Sequence, residues 1–113
     1  MEDTTTPELR HVAVGEDKSF VLSSGERLFT LDQLSEAINL IDPDTFHHHV
    51  NAERNDFANW VQHVFPEVLG EEDAAKLADA MRAKRGPLGQ MIAVEKFLRM
   101  KELAAEKAAT PAA

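Results

Sequence analysis

Between Asp42 and Pro66 two apolar stripes of helical spacing flank a polar break, and that pattern confines this part of the chain to a helical corner. Asp42 is suited to cap a helix because its carboxylate accepts orphan backbone N–H groups. Pro43 at the first helical position gives up only a donor that had no partner. Phe46 and Val50 then share one face, with His49 between them. Asn51 through Asn55 is polar. Asn55 and Asp56 form a second start signal, a cap followed by an acid where the helix dipole favours it. Phe57, Trp60, Val61 and Val64 follow at i, i+3, i+4 and i+7, a single amphipathic stripe that Pro66 should end.

The rest of the chain repeats the theme. Thr30 opens a helix with a capping box to Gln33, and Leu31, Leu34, Ile38 and Ile41 keep one face apolar. A further start falls at Gly70, followed by Glu71, Glu72 and Asp73. Ala74, Leu77, Ala78 and Met81 supply its stripe. Arg82, Lys84 and Arg85 are expected in its last turn, with Gly86 and Pro87 as the stop; read alone the three bases resemble a phosphate site, but cations that offset the helix dipole account for them. A final helix is expected over 88–108. Before these, Phe20 to Leu22 and Arg27 to Phe29 flank a Gly25-containing turn that suits a small hairpin. Residues 11–14 have the composition of a further short strand.

The fold expected is mainly α: a compact bundle of four to five helices, with a short N-terminal β-hairpin as an optional addition. The divisions are a mobile leader over 1–18, a single helical domain over 19–108 and a frayed tail over 109–113. The core should draw on Phe20, Leu22, Leu31, Leu34, Ile38, Phe46, Val50, Phe57, Trp60, Val61, Val64, Leu77, Met81, Ile92 and Leu98. At 113 residues the chain is one domain and needs no covalent staple.

Charge narrows the partners. Twenty acids against twelve bases give a formal net charge of −8. A phosphate-binding face must be basic, so nucleic acid is not expected, nor is an anionic membrane surface. No cysteine is present, which removes disulfides, thiolate zinc sites and cysteine nucleophiles. The polar, acidic start does not read as a signal peptide, and no run approaches a membrane span. A cytoplasmic protein is the default expectation.

Three of the five histidines are consecutive, His47, His48 and His49. Helical neighbours stand about 100° apart, so these three cannot face one ion. No H-x-x-x-H or H-E-x-x-H spacing occurs. A site could still assemble across the corner from His49, Asp56 and His63. Asn51, Glu53, Asn55 and Asp56 resemble part of a calcium loop, without its central glycine or closing glutamate. There is no nucleophile elbow and no phosphate cradle. A histidine beside Asp56 would be oriented for proton transfer, yet a purely structural histidine takes the same pairing. No catalytic residue, resident metal or cofactor is assigned.

The string F-x-x-H-V-N-x-x-R-N-D-F-A-N-W-V over 46–61 resembles the signature of a small uncharacterised prokaryotic helical domain family. Residues 20–25 with 31–34, and residues 69–74, are similar to its flanking segments, so the likeness covers roughly 20–100. His47, His48 and the Pro66 loop depart from it. The resemblance implies a compact helical domain, often joined to other modules, and no activity.

The residues favour a non-enzymatic protein-interaction or regulatory domain. Apolar side chains cover more of the last helix than one small core needs, so Met91, Phe97, Met100 and Leu103 are the expected interface, toward a protein partner or as a homodimer seam. The alternative is a small-ligand or metal-binding domain built on His49, Asn51, Asn55, Asp56 and His63.

Overall fold

The structure, a computed structural model, describes the backbone of residues 9–109 and the side chains of residues 9–104. Two 3-10 turns, Leu9–His11 and Glu16–Lys18, lead into strands β1 (Phe20–Val21) and β2 (Arg27–Leu28). Six α-helices follow among the described residues: α1 (Leu31–Leu40), α2 (Pro43–His49), α3 (Asp56–Val64), α4 (Pro66–Leu69), α5 (Glu71–Arg82) and α6 (Pro87–Ala109). The chain is mainly helical with one antiparallel hairpin, in which Phe20 faces Leu28 and Val21 faces Arg27.

Each helix starts where local chemistry dictates. The Thr30 hydroxyl accepts from Gln33 N–H at 3.0 Å, and Gln33 Oε1 accepts from Phe29 N–H at 2.7 Å, one residue upstream of the usual reciprocal bond. Asp42 accepts from the Thr45 hydroxyl at 2.7 Å and from Thr45 N–H at 3.1 Å, and these bonds hold its carboxyl below the ordinary range. Asn55 caps α3 by accepting from Ala58 N–H at 3.0 Å.

Pro66 ends α3 but also begins the single turn α4, which raises the helix count above the four to five expected. A proline is as suited to a first helical position as it is unfit for an interior one. Gly70 then separates α4 from α5 with φ 88° and ψ 155°, a region essentially reserved for glycine. α5 ends at Arg82, so Lys84 and Arg85 lie beyond its last turn, not within it.

The helices α3, α5, α6 and α1 pack in that order, α3 on α5, α5 on α6 and α6 on α1. Phe46, Phe57, Val61, Leu31, Leu34, Ile38, Leu77, Met81 and Leu98 are fully buried between them. Two expected core residues sit farther out: Phe20 and Val64 are partly buried against the cluster. Ile92 is 44% exposed and is not core. The buried stripe of α6 runs through Gln90, Val94, Phe97 and Leu98, and Ile92 points away from it. Phe65, Val14, Leu28 and Ala58 join the core without having been expected there.

Within residues 9–18, grouped by sequence with the leader, Leu9 and Val14 pack on the core and Glu16–Lys18 is exposed. Val14 is buried, and its N–H donates to Phe29 O at 2.9 Å, a single bond in place of the strand suggested for 11–14. Arg10 reaches three acids: Glu102 at 2.6 Å, Asp32 at 3.0 Å and Glu95 at 3.3 Å. The hydrogen bond to Glu102 is the main reason the Arg10 guanidinium is pushed up, and it holds the Glu102 carboxyl below its usual range. Residues 1–8 and 110–113 lie outside the described residues.

Candidate functional site

The corner closes on His49. Residue 49 is the last of α2, one turn after Phe46, so its ring follows Phe46 into the interior and is 5% exposed. Ser23 N–H donates to His49 Nε2 at 3.0 Å. A backbone N–H can only donate, so Nε2 accepts and the ring proton sits on Nδ1. Nδ1 lies 3.1 Å from Asp56 Oδ2 and donates to it. Both ring nitrogens are therefore engaged, one by the hairpin and one by the first residue of α3.

Around this ring stands an aromatic cluster. Phe20 lies 5.1 Å from His49, 5.1 Å from Phe57 and 5.7 Å from Trp60, centroid to centroid. Trp60 meets Phe65 edge to face at 4.9 Å, and its Nε1–H donates to Lys18 O at 2.8 Å. Phe20 from the hairpin, His49 from α2, and Phe57 and Trp60 from α3 thus fasten the hairpin and the preceding turn to α2 and α3. Such geometry orients a histidine, but it leaves that histidine no free lone pair.

The candidate residues divide accordingly. His49 and Asp56 come together. Asp56 does not cap α3 by hydrogen bonding; it serves as the partner of His49 and lies 3.6 Å from Arg54 Nε. Asn55 caps α3. Asn51 holds the turn, accepting from Glu53 N–H at 3.0 Å. His63 is exposed, its Nδ1 donates to Asn59 O at 2.8 Å, and it does not enter the hydrogen bonds of the corner. Among the described residues no three His, Asp or Glu side chains are grouped so as to hold an ion.

Beside the corner lies an open groove of about 780 Å³. The 50–55 turn forms one wall, α3 contributes Asn59, and the end of α5 with the following loop forms the other wall. Its charged lining is Arg54, Arg82, Lys84 and Arg85 against the single acid Glu53. Sequence reasoning assigned the last three bases to a helix terminus and passed over Arg54. The signal available in the sequence was three bases close together in so acidic a chain; that two of them lie past the helix end is seen only in the structure.

On α6 the four expected interface residues separate. Phe97 is 8% exposed and Met91 is partly buried, so these two belong to the interior of the domain. Their positions follow the buried stripe set by Val94 and Leu98. Met100 and Leu103 are 63% and 48% exposed, and Leu88 and Ile92 join them at 63% and 44%. No helix among the described residues is long and apolar enough to cross a membrane. The chain matches no family model, no curated protein and no solved structure.

Proposed function

We propose that this chain is a non-enzymatic interaction domain that docks a partner protein on the outward face of α6. The observation that carries this reading is the exposed row Leu88, Ile92 and Leu103, flanked by Met100, on a helix whose opposite side carries the buried Gln90, Val94, Phe97 and Leu98. At 3.6 residues per turn, Leu88, Ile92, Lys96, Arg99 and Leu103 fall within about 80° of one another. Leaving such apolar side chains in water forgoes burial free energy that a partner recovers, and exposed rows of this kind are a common mark of contact surfaces.

The charges on this face favour one occupant. Lys96 and Arg99 interrupt the row, and neither makes an ion pair among the described residues. A two-fold antiparallel seam between two copies, centred between Ile92 and Leu103, would set Lys96 of one copy against Arg99 of the other. Like charges facing each other oppose association. An acidic amphipathic helix of another protein meets both the apolar row and the bases.

Corner ligation of a metal or small ligand by His49, Asn55 and Asp56 has less support. His49 could bind only by giving up Ser23 or Asp56.

Photo-crosslinking from position 92 in the full chain, in its native cell, tests the proposal. A crosslinked partner with an acidic amphipathic segment, lost in Ile92→Glu with Leu103→Glu, is the expected outcome. A crosslink between two copies, with a dimer in sedimentation that the same substitutions dissolve, assigns the face to a homodimer instead. Unfolding of both variants assigns the face to the core and removes the proposal.

A further inference from the structure

The groove beside the 50–55 turn is separate from the α6 face and has a different chemistry. Its walls are rich in donors. Arg54, Arg82, Lys84 and Arg85 line it with the single acid Glu53, and Arg54 and Arg82 each also have an acid outside the lining, Asp56 and Asp79, in a chain whose formal net charge is −8. A helix terminus accounts for Arg82, which sits in the last turn of α5. It does not account for Lys84 and Arg85, because the dipole's influence fades within that turn.

Three of the bases are held in place. Arg54 donates from Nη2 to His48 O at 2.7 Å, and Asp56 stands 3.6 Å from its Nε. Arg82 donates to Asn59 Oδ1 at 2.9 Å and to Asp79 at 3.1 Å. The loop carrying Lys84 is pinned by the fully buried Gln90, whose Nε2–H donates to Lys84 O at 3.1 Å. The Lys84 stem lies over Gly89, where an added Cβ would come within 3.0 Å of it. Gly89 is thus the residue that lets this lysine lie against the start of α6.

The amides add to the donor character. Asn55 and Asn59 each spend Oδ1 inside the protein, on Ala58 N–H and on Arg82, and the Nδ2 group of each makes no hydrogen bond among the described residues. Lys84 and Arg85 make no ion pair there either. Val50 and Ala52 are the apolar part of the lining, and His47 is its one aromatic ring.

We infer that this groove is a binding site for a small polyanion, a molecule carrying two or more phosphate or carboxylate groups. Guanidinium forks and amide N–H groups match the planar or tetrahedral oxygens of such groups, and charge-assisted bonds are the strong ones. The acidic remainder of the surface repels a long polyanion, so the ligand is small enough to lie within the groove.

The test is titration of the full chain with pyrophosphate, and separately with citrate, at constant ionic strength, followed by NMR of backbone and side-chain amides. The expected result is saturable shifts at Asn51, Asn55, Asn59, Lys84 and Arg85. Tighter binding of pyrophosphate marks a phosphorylated ligand, and tighter binding of citrate marks a polycarboxylate. Lys84→Gln combined with Arg85→Gln should weaken binding by about tenfold or more, as loss of two charge-assisted contacts requires. Both side chains are exposed and free of ion pairs, so thermal unfolding of this variant should match wild type. Gly89→Ala, which displaces the Lys84 stem, should weaken binding while Lys76→Gln should not. Shifts spread over distant bases such as Lys76 and Lys96, or equal affinity in the double variant, would overturn the site. A short oligonucleotide binding more tightly than either small anion would overturn the assignment of its ligand.

Discussion

Asp56→Ala tests the central hydrogen-bond chain of the corner. Asp56 is the acceptor for Nδ1–H of His49, a ring 5% exposed, and the Nε2 side is already taken by Ser23. Removing the carboxylate leaves a nearly buried N–H without a partner, which costs about 1–3 kcal/mol. It also removes the first-turn acid of α3, a further loss of about 0.3–1 kcal/mol. The expected total is about 2–3 kcal/mol, or roughly 8–13 °C in Tm for a domain of this size. Asp56→Asn keeps an acceptor at the same place and loses only charge, so it should cost about 0.5–1 kcal/mol. Urea unfolding followed by Trp60 emission is the assay, since Trp60 is 7% exposed and touches the same cluster. A double-mutant cycle with His49→Phe should return a coupling of about 1–2 kcal/mol. Equal stability of the Ala and Asn variants, or a coupling near zero, would refute the claim that this bond holds the corner.

Three further outcomes follow from particular positions. Gly70→Ala should cost about 1–3 kcal/mol from backbone strain alone, because φ is 88° while nothing lies within 4 Å of the added Cβ; chemical denaturation measures it, and a neutral result contradicts the geometry. Phe97→Ala should cost about 3–5 kcal/mol and Met100→Glu less than about 0.5 kcal/mol, since the first is 8% and the second 63% exposed; comparable losses would mean that α6 is rotated from the orientation described. The Glu102 carboxyl, lowered chiefly by its hydrogen bond to Arg10, adds stability that is complete above its unfolded-state value and is lost as pH falls through its folded value. Arg10→Met should therefore flatten the acid limb of the stability profile, and an unchanged limb would show that the Glu102 bond is not formed in solution.

Caps and stripes were legible in the sequence because both are local. Thr30, Asp42 and Asn55 cap the helices they were expected to cap, since an oxygen two or three residues before a free N–H has few other places to go. The hairpin was legible for the same reason. What escaped was set by distant partners. Phe65 sits between two helix signals and gives no periodic cue, yet it is fully buried and packs edge to face on Trp60, five residues earlier on α3. Gln90 occupies the buried stripe of α6 although its side chain is polar, because the carbonyl of Lys84 is there to receive its amide. The same limit moved Ile92 outward and Phe97 inward. A helix apolar on most sides does not reveal which side its neighbours take. Arg10 illustrates the point at its strongest: its acids stand at positions 32, 95 and 102, and no window of sequence contains them together.

The surface is best judged by what folding does not use. The side chains of the 46–61 string that build the corner are committed to internal bonds, His49 to Ser23 and Asp56, Asn55 to Ala58 and Trp60 to Lys18, while His47 and His48 are exposed. A dense motif of this kind is explained by the corner it builds, and its richness is no argument for chemistry. The bases give the opposite pattern. Arg10, Lys18, Lys76 and Lys101 each meet an acid, and Arg27 bonds to Ser19. Lys84, Arg85, Lys96 and Arg99 make no ion pair among the described residues, although acids outnumber bases by twenty to twelve. In so acidic a protein, pairing a surface base is easy, so bases left unpaired on the groove and on the apolar row of α6 are the side chains with capacity to spare. The corner holds Arg54 and the 50–55 turn at the edge of that groove. The two surfaces proposed above for recognition are its neighbours, the groove for small anions and the outer face of α6 for an acidic helix.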